Sequence, residues 1–380
     1  MLNDAQITNQ VIVYIVLAFA IACAVSYFIS PLVMKFAKLV GAVDVPKDER
    51  RMHKTPLTRL GGLSIFLGFI IAVLIFNDIS IQVAGILTGS VIIVVLGVLD
   101  DIYRLKAWVK LIVQIAAALI PVFCDVVVHV LSNPLYIFGI GGPYLELGIW
   151  AYPITAVWII VITNSVNLID GLDGLAVGVS SIASISMLII AVVLPTPYVA
   201  ILMAALAGGC MGFMPFNLNP AKMFMGDTGA TFLGYILATT SILGLFKLYA
   251  IISFAVPFLV LGLPIFDTVS AILRRLSKGK SPMSADRGHV HHKLIDMGFT
   301  QKQSVAILYL MSALLGITAV VLTTAGEVKA LILLASVLFG ASVAVGLFVI
   351  GRRNGAGALP GNENGADNDN GNDNGPEDEE

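Results

Sequence analysis

An all-α polytopic membrane protein is the fold class that this sequence predicts, on three observations. Of the 380 residues 58% are hydrophobic and 12% are charged, where a soluble domain carries about 45–50% and about 25%. The mean hydropathy is +0.93. The apolar residues also fall in continuous runs of roughly 18 or more, the length that crosses a bilayer as helix, and not in the alternation of a transmembrane strand. A soluble multidomain enzyme is excluded, because no aqueous core of this size holds so much apolar sequence.

Taken in order, the runs predict spans over 11–31, 61–77, 81–99, 110–128, 151–166, 176–194, 198–216, 230–246, 249–273, 304–324 and 328–350, about 11 transmembrane helices. The breaks around Asn77, Pro195 and Lys247 are so short that the helices on either side form hairpins. With these spans, twenty Lys and Arg residues collect on one side and only Lys247 and Lys329 on the other. By the positive-inside rule the N-terminus is outside. The opening MLNDAQITNQ lacks the basic segment of a secretory signal and leads into an uncleaved first span. Residues 130–150, rich in Gly, Pro and alternating apolar positions, predict a small external hairpin.

From Asn354 the chain turns to Asn, Gly and Asp, with eight acidic residues and no basic one; 16 acidic residues then remain against 22 basic ones, net +6, in the rest. Residues 354–380 are expected to be a disordered acidic cytoplasmic tail, and 1–353 the integral membrane domain. Cys23, Cys124 and Cys210 lie scattered in apolar runs and have neither a metal-binding nor a disulfide spacing.

The same parity puts every polar motif at the cytoplasmic face. Asp100 and Asp101 end the third span in LGVLDDIYRLK; adjacent carboxylates repel unless a cation or a shared proton compensates, although a polar helix end is the simpler reading. Asn164, Asn167, Asp170 and Asp173 recur every three residues in NSVNLIDGLDGLA, which turns four oxygen-bearing side chains toward one side. A turn between spans needs only one such residue, and in a membrane such a stripe is costly.

FMGDTGA opens the eighth span. Asp227 and Thr228 suit a simple helix start; alternatively Asp227 is a ligand for a hard cation, Mg²⁺ or Mn²⁺, that also takes substrate phosphates. Phe224 just before it would stack on a base or anchor the interface. In ADRGHVHHKL, His289, His291 and His292 with Arg287 and Lys293 form a cationic cluster that suits phosphate, a lipid headgroup surface or, with a poor spacing for it, zinc. The first loop adds His53, Lys54 and Arg59, either substrate-facing or topology-setting. Asp267 lies about two turns inside Arg274, about 10 Å below the interface, as a functional group or a packing partner.

Carboxylates for a hard metal beside cationic groups at one membrane surface suit phosphoryl transfer between a soluble nucleotide and a lipid phosphate, which needs alignment and charge neutralisation more than covalent work. LDD at 99–101, NLIDGLDGLA at 167–176, FMGDTG at 224–229 and HVHH at 289–292 together resemble the polyprenyl-phosphate N-acetylhexosamine-1-phosphate transferase superfamily, from roughly residue 30 to 350. The H-x-H-H form resembles the bacterial undecaprenyl-phosphate N-acetylglucosamine-1-phosphate transferases that start teichoic acid and O-antigen synthesis. It departs from the three consecutive histidines of the MurNAc-pentapeptide branch, which makes lipid I synthesis the alternative.

The resemblance implies UDP-GlcNAc and undecaprenyl phosphate as substrates, undecaprenyl-pyrophosphoryl-GlcNAc and UMP as products, Mg²⁺ as cofactor, the bacterial cell membrane as location and a homodimer, with no nucleic acid as partner. It implies Asp227 as metal ligand and Asp100 as base or nucleophile. Asp101, Asn164, Asn167, Asp170 and Asp173 match positions around metal and nucleotide, Phe224 meets uracil and Lys110 lies near the phosphates. Asp101, His289, His291 and His292 are expected to join Asp100 in catalysis, and Lys54, Arg59 and Arg287 to bind substrate. A cation-coupled transporter is the reading from another class; it places its polar groups at the midplane in repeated halves, and no such repeat is present.

Overall fold

The computed structural model describes residues 9–45, 56–133, 140–142, 144–244, 255–279 and 288–325, with single positions at 329, 333 and 335. The acidic tail, Lys54, Arg287 and, apart from those single positions, the eleventh span lie outside the described residues. Met1–Leu334 forms one unit of the chain, and all the described helices and strands belong to it.

The described residues are mostly helical. In order, α1 is Asn9–Leu39, α2 Gly62–Phe76, α3 Ile81–Tyr103, α4 Ala107–Phe123, α5 Ala151–Ile169, α6 Leu175–Val193, α7 Pro197–Asn217 and α8 Gly226–Gly244. The short helices α9 (Ala255–Val260), α10 (Gly262–Ser277) and α11 (Val290–Asp296) precede α12 (Gln301–Ala325). Helices α1, α3, α5, α6, α7 and α12 are each long and apolar enough to cross a membrane, and α2 and α4 are apolar but shorter. The protein is an all-α, multi-pass membrane protein. Two strands, β1 (Val43–Asp44) and β2 (Leu57–Thr58), pair in the first loop; β3 (Val130–Ser132) and β4 (Tyr144–Glu146) form the hairpin expected between 130 and 150.

Helix α8 is the axis of the bundle. It packs against α2, α3, α5, α6 and α7, and every residue in it except Asp227 is buried. That position explains its composition: a helix that meets protein on all sides needs no lipid-facing stripe and can carry Thr239, whose hydroxyl bonds back to Tyr235 O at 2.8 Å. Small residues let the neighbours close in. A Cβ added to Gly97 of α3 would overlap Thr228 Cα, so the ends of α3 and α8 touch backbone to backbone. The first residues of α8, and with them Asp227, are thereby held at the centre of one end.

The expected span over 249–273 is different in the structure. Residues 249–254 lie outside the described part, and the remainder is broken at Leu261 into α9 and α10. The cause is local: in VLGLP, Gly262 weakens helix continuity, and Pro264 has no N–H to give and fits only a helix's first turn. After the break α10 runs amphipathic. Phe266, Val269, Leu273 and Leu276 are exposed along one side, while Leu263, Asp267, Thr268 and Ala271 are buried.

Candidate active site

The geometry starts with the loop before α8. Phe224 N–H donates to Thr58 O at 2.8 Å, Gly61 N–H to Phe224 O at 3.0 Å and Gly62 N–H to Met225 O at 2.8 Å, so MFM runs alongside the segment from β2 through Arg59 to the start of α2. Gly226 then turns the chain into the helix at φ +72°; a Cβ there would collide with Arg59 O and with the Asp101 carboxylate, so only glycine fits.

The two adjacent aspartates of α3 take different partners. Asp101 accepts Asp227 N–H at 3.0 Å, Thr228 N–H at 3.0 Å and the Thr228 hydroxyl at 2.7 Å, supplying from another helix the cap of α8. Asp100 accepts Leu105 N–H at 2.7 Å and the Lys110 ammonium at 2.8 Å, and the same ammonium donates to Asp227 at 3.0 Å. Arg104, in left-handed conformation at φ 54°, makes the turn that folds α4 back and sets Lys110 between the two carboxylates.

The NSVNLIDGLDG stripe also divides. Asn164 does not line the site: it donates to Gln114 of α4 at 2.8 Å and to Ile160 O at 2.8 Å, and so ties α5 to α4. Asn167, Asp170 and Asp173 come forward where α5 ends. Asp173 accepts the Asn219 amide at 2.9 Å and Ala221 N–H at 3.1 Å, fastening this loop to the one before α8. Asp170 has its pKa pushed up to about 7, by burial first and then by the charges of Asp227 and Asp101, with Arg59 pulling the other way.

The histidines are likewise unequal. His292 faces the site, whereas His289 and His291 are 7% and 3% exposed. His291 packs onto the α5–α6 loop, so closely that a Cβ on Gly171 would overlap its Nε2. Its pKa is lowered to about 4, by burial first and then by His292, so that ring is neutral at pH 7.

These elements enclose a groove of about 440 Å³. Of the residues anticipated from sequence, Arg59, Asn167, Asp170, Asp173, Phe224, Asp227 and His292 line it, and Asp100 and Lys110 adjoin it through Asp227. Asp44, Asn217, Asp296 and Gln301 line it as well. Sequence reasoning assigned them no role: Asp44 sits in an ordinary loop, and Asp296 and Gln301 follow the histidines in IDMGFTQ without any periodicity. Gln114, the partner of Asn164, had a signal in the K-x-x-x-Q spacing after Lys110.

Charge decides what such a groove can hold. Five carboxylates, Asp44, Asp170, Asp173, Asp227 and Asp296, face it with one guanidinium, Arg59, among the described lining residues. By itself this surface repels a polyphosphate. The Asp227 carboxylate at this wall is an oxygen ligand of the kind that a hard divalent cation takes together with water and phosphate oxygens. An aromatic ring at Phe224 lies on the same wall. Carboxylates, a ring and a few cations therefore suit a nucleoside diphosphate brought in with a divalent cation.

Residues 83–245 match the sequence profile of glycosyl transferase family 4. A probable undecaprenyl-phosphate N-acetylglucosaminyl 1-phosphate transferase of Bacillus subtilis (strain 168) is 39% identical over 321 residues, covering 83% of this chain and 87% of that protein. The decaprenyl-phosphate N-acetylglucosaminephosphotransferase of Mycobacterium tuberculosis (strain ATCC 25618 / H37Rv) is 33% identical over 76% of this chain and 78% of its own. A phospho-N-acetylmuramoyl-pentapeptide-transferase of Desulfitobacterium hafniense (strain DSM 10664 / DCB-2) is 30% identical over 82% of this chain and 98% of its own.

Proposed function

The chain belongs to glycosyl transferase family 4, and we propose that it transfers GlcNAc-1-phosphate from UDP-GlcNAc to undecaprenyl phosphate, releasing UMP, as a membrane step of bacterial cell-envelope polysaccharide synthesis. The observation that carries this reading is the Lys110 ammonium held between Asp100 at 2.8 Å and Asp227 at 3.0 Å, at the edge of a groove able to take a nucleotide. The more similar of the cited relatives are named for GlcNAc transfer, and the H-x-H-H order of His289, His291 and His292 favours the same branch.

In the reaction the acceptor phosphate oxygen attacks the sugar-linked phosphorus; the new P–O bond forms as the bond to the UMP oxygen breaks, and UMP departs with the electron pair. Asp227 would hold Mg²⁺, which supplies charge neutralisation to the donor phosphates when bound. Asp100 orients the acceptor phosphate or removes its remaining proton, and Lys110 offers it an ammonium. Arg59 and His292 hold the donor phosphates in the groove, Asn167, Asp170 and Asp173 surround the nucleotide, and Phe224 stacks on its base. Asp101 serves the reaction through the start of α8. The cytoplasmic face of the cell membrane, where UDP-sugars are found, is the side on which this end of the bundle faces.

The test is UMP release by purified protein in detergent given UDP-GlcNAc, UDP-GalNAc or UDP-MurNAc-pentapeptide, each with and without undecaprenyl phosphate and Mg²⁺. Release from UDP-GlcNAc that needs both lipid and metal, and is abolished in Asp227→Ala, is the expected result. Release from the pentapeptide donor alone would move the protein to the lipid I branch. Trapping phosphate on Asp100 without lipid acceptor would replace direct attack by a double displacement.

A further inference from the structure

Asp267 is a buried carboxylate in the first half of α10 that lines no part of the groove, yet both its oxygens are committed to the histidine motif. Its Oδ2 lies 2.8 Å from His289 Nδ1, and its Oδ1 accepts Val290 N–H at 2.8 Å. His289 is the residue before α11 and caps that helix with no side-chain bond of its own; the carboxylate from α10 supplies the missing acceptor. An acceptor at Nδ1 fixes the proton there and fixes the plane of the ring. That ring lies parallel to His291, with centroids 5.7 Å apart and planes within 8°, and His291 in turn meets His292 at 4.3 Å. The space beside Asp267 and His291 is about 10 Å³, room for at most one water and for no substrate.

We infer that Asp267 is a positioning residue: by clamping His289 and the first amide of α11 it sets the place of that helix and, through the row of rings, holds His292 at the groove. The inference rests on the proposed transferase reading and divides the motif's labour. His292 meets the substrate, His291 seats against Gly171, and His289 is the handle by which α10 grips the helix.

The test is a double-substitution cycle in the full-length protein in detergent, reading kcat/KM for UMP release from UDP-GlcNAc with undecaprenyl phosphate and Mg²⁺, beside thermal unfolding. Asp267→Asn and His292→Ala should each lower kcat/KM by about 10–100-fold, and the double variant should fall within about 3-fold of His292→Ala alone, since residues acting as one unit are not additive. Losses that multiply in folded protein would overturn the inference. Should Asp267→Asn not fold, the histidine side carries the same question. The amide nitrogen of His289→Asn can replace Nδ1 and should restore at least about 10-fold over His289→Ala, whereas equal losses would make His289 itself the reacting group. The two failures separate: a folded wild-type protein that releases no UMP removes the transferase reading and this inference with it, while multiplicative losses in an active protein remove only the role of Asp267.

Discussion

The Thr228 hydroxyl donates to Asp101 at 2.7 Å while the Thr228 amide donates to the same oxygen at 3.0 Å. The last turn of α3 thus carries the cap of α8, and the placement of Asp227, one residue earlier, depends on a carboxylate that does not reach the groove.

Weakening that cap should reduce activity in two grades. Thr228→Val removes one hydrogen bond to a carboxylate, about 1.5–3 kcal/mol, and leaves two backbone donors in place. Asp101→Ala removes the acceptor for all three and should cost more, about 100-fold or greater in kcat/KM against about 10-fold for Thr228→Val. UMP release from folded protein gives the comparison. A fully active Thr228→Val protein beside an inactive Asp101→Ala would show that Asp101 acts on substrate and not on α8.

Gly171→Ala tests the seat of His291. The added methyl overlaps Nε2 of a buried ring, so either the ring or the α5–α6 loop must move, at a typical cost of about 1–3 kcal/mol for overpacking. The loop carries Asp170 and Asp173, and the ring adjoins His292. Unfolding in detergent should reveal that loss, and the KM for UDP-GlcNAc should rise. An unchanged KM beside unchanged stability would mean that α11 is free to slide on the loop.

Asp170 makes stability fall as pH rises, the reverse of a paired carboxylate. Its folded pKa of about 7 lies above the ordinary value of about 3.9, so between these limits the folded protein binds more protons than the unfolded chain, and each step up in pH destabilises it. Below about pH 4 both states are protonated and above about pH 7 both are ionised. In chelator, Asp170→Asn should therefore unfold at a higher temperature than wild type at pH 8, and the gap should shrink toward pH 5. Parallel curves across that range would show that Asp170 does not carry the effect.

Much of this arrangement is legible in the sequence, for identifiable reasons. The spans announce themselves because lipid requires some twenty apolar residues at a stretch, and the parity of Lys and Arg brings four motifs to one end before any coordinates. Roles within a motif are less legible. Asp100 and Asp101 are neighbours in sequence, but successive helical residues point about 100° apart, so one meets Lys110 and the other α8. Asn164 shares the period of Asn167 and Asp170 yet lies a turn deeper, where its partner is Gln114. Nothing near the histidines tells them apart, because what distinguishes His289 is Asp267, 22 residues earlier on another helix. The break at VLGLP was readable from Gly262 and Pro264; hydropathy averaged over a window conceals it.

Lys110→Met addresses the link between Asp100 and Asp227 directly. The methionine keeps the length of the side chain and removes the charge, leaving two carboxylates that shared one ammonium at 2.8 and 3.0 Å to face each other. Because the lysine is 27% exposed, water screens part of the loss, and the fold should survive. A divalent cation then has less to compete with at Asp227, so the Mg²⁺ concentration for half-maximal activity should fall. The rate should fall too, by about 100-fold or more, since the ammonium no longer offsets charge on the phosphates as UMP leaves. UMP release measured across a Mg²⁺ titration separates these effects. A lower rate with a higher Mg²⁺ requirement would mean that Lys110 assists the metal site instead of competing with it, and that the carboxylate pair is not where the cation binds.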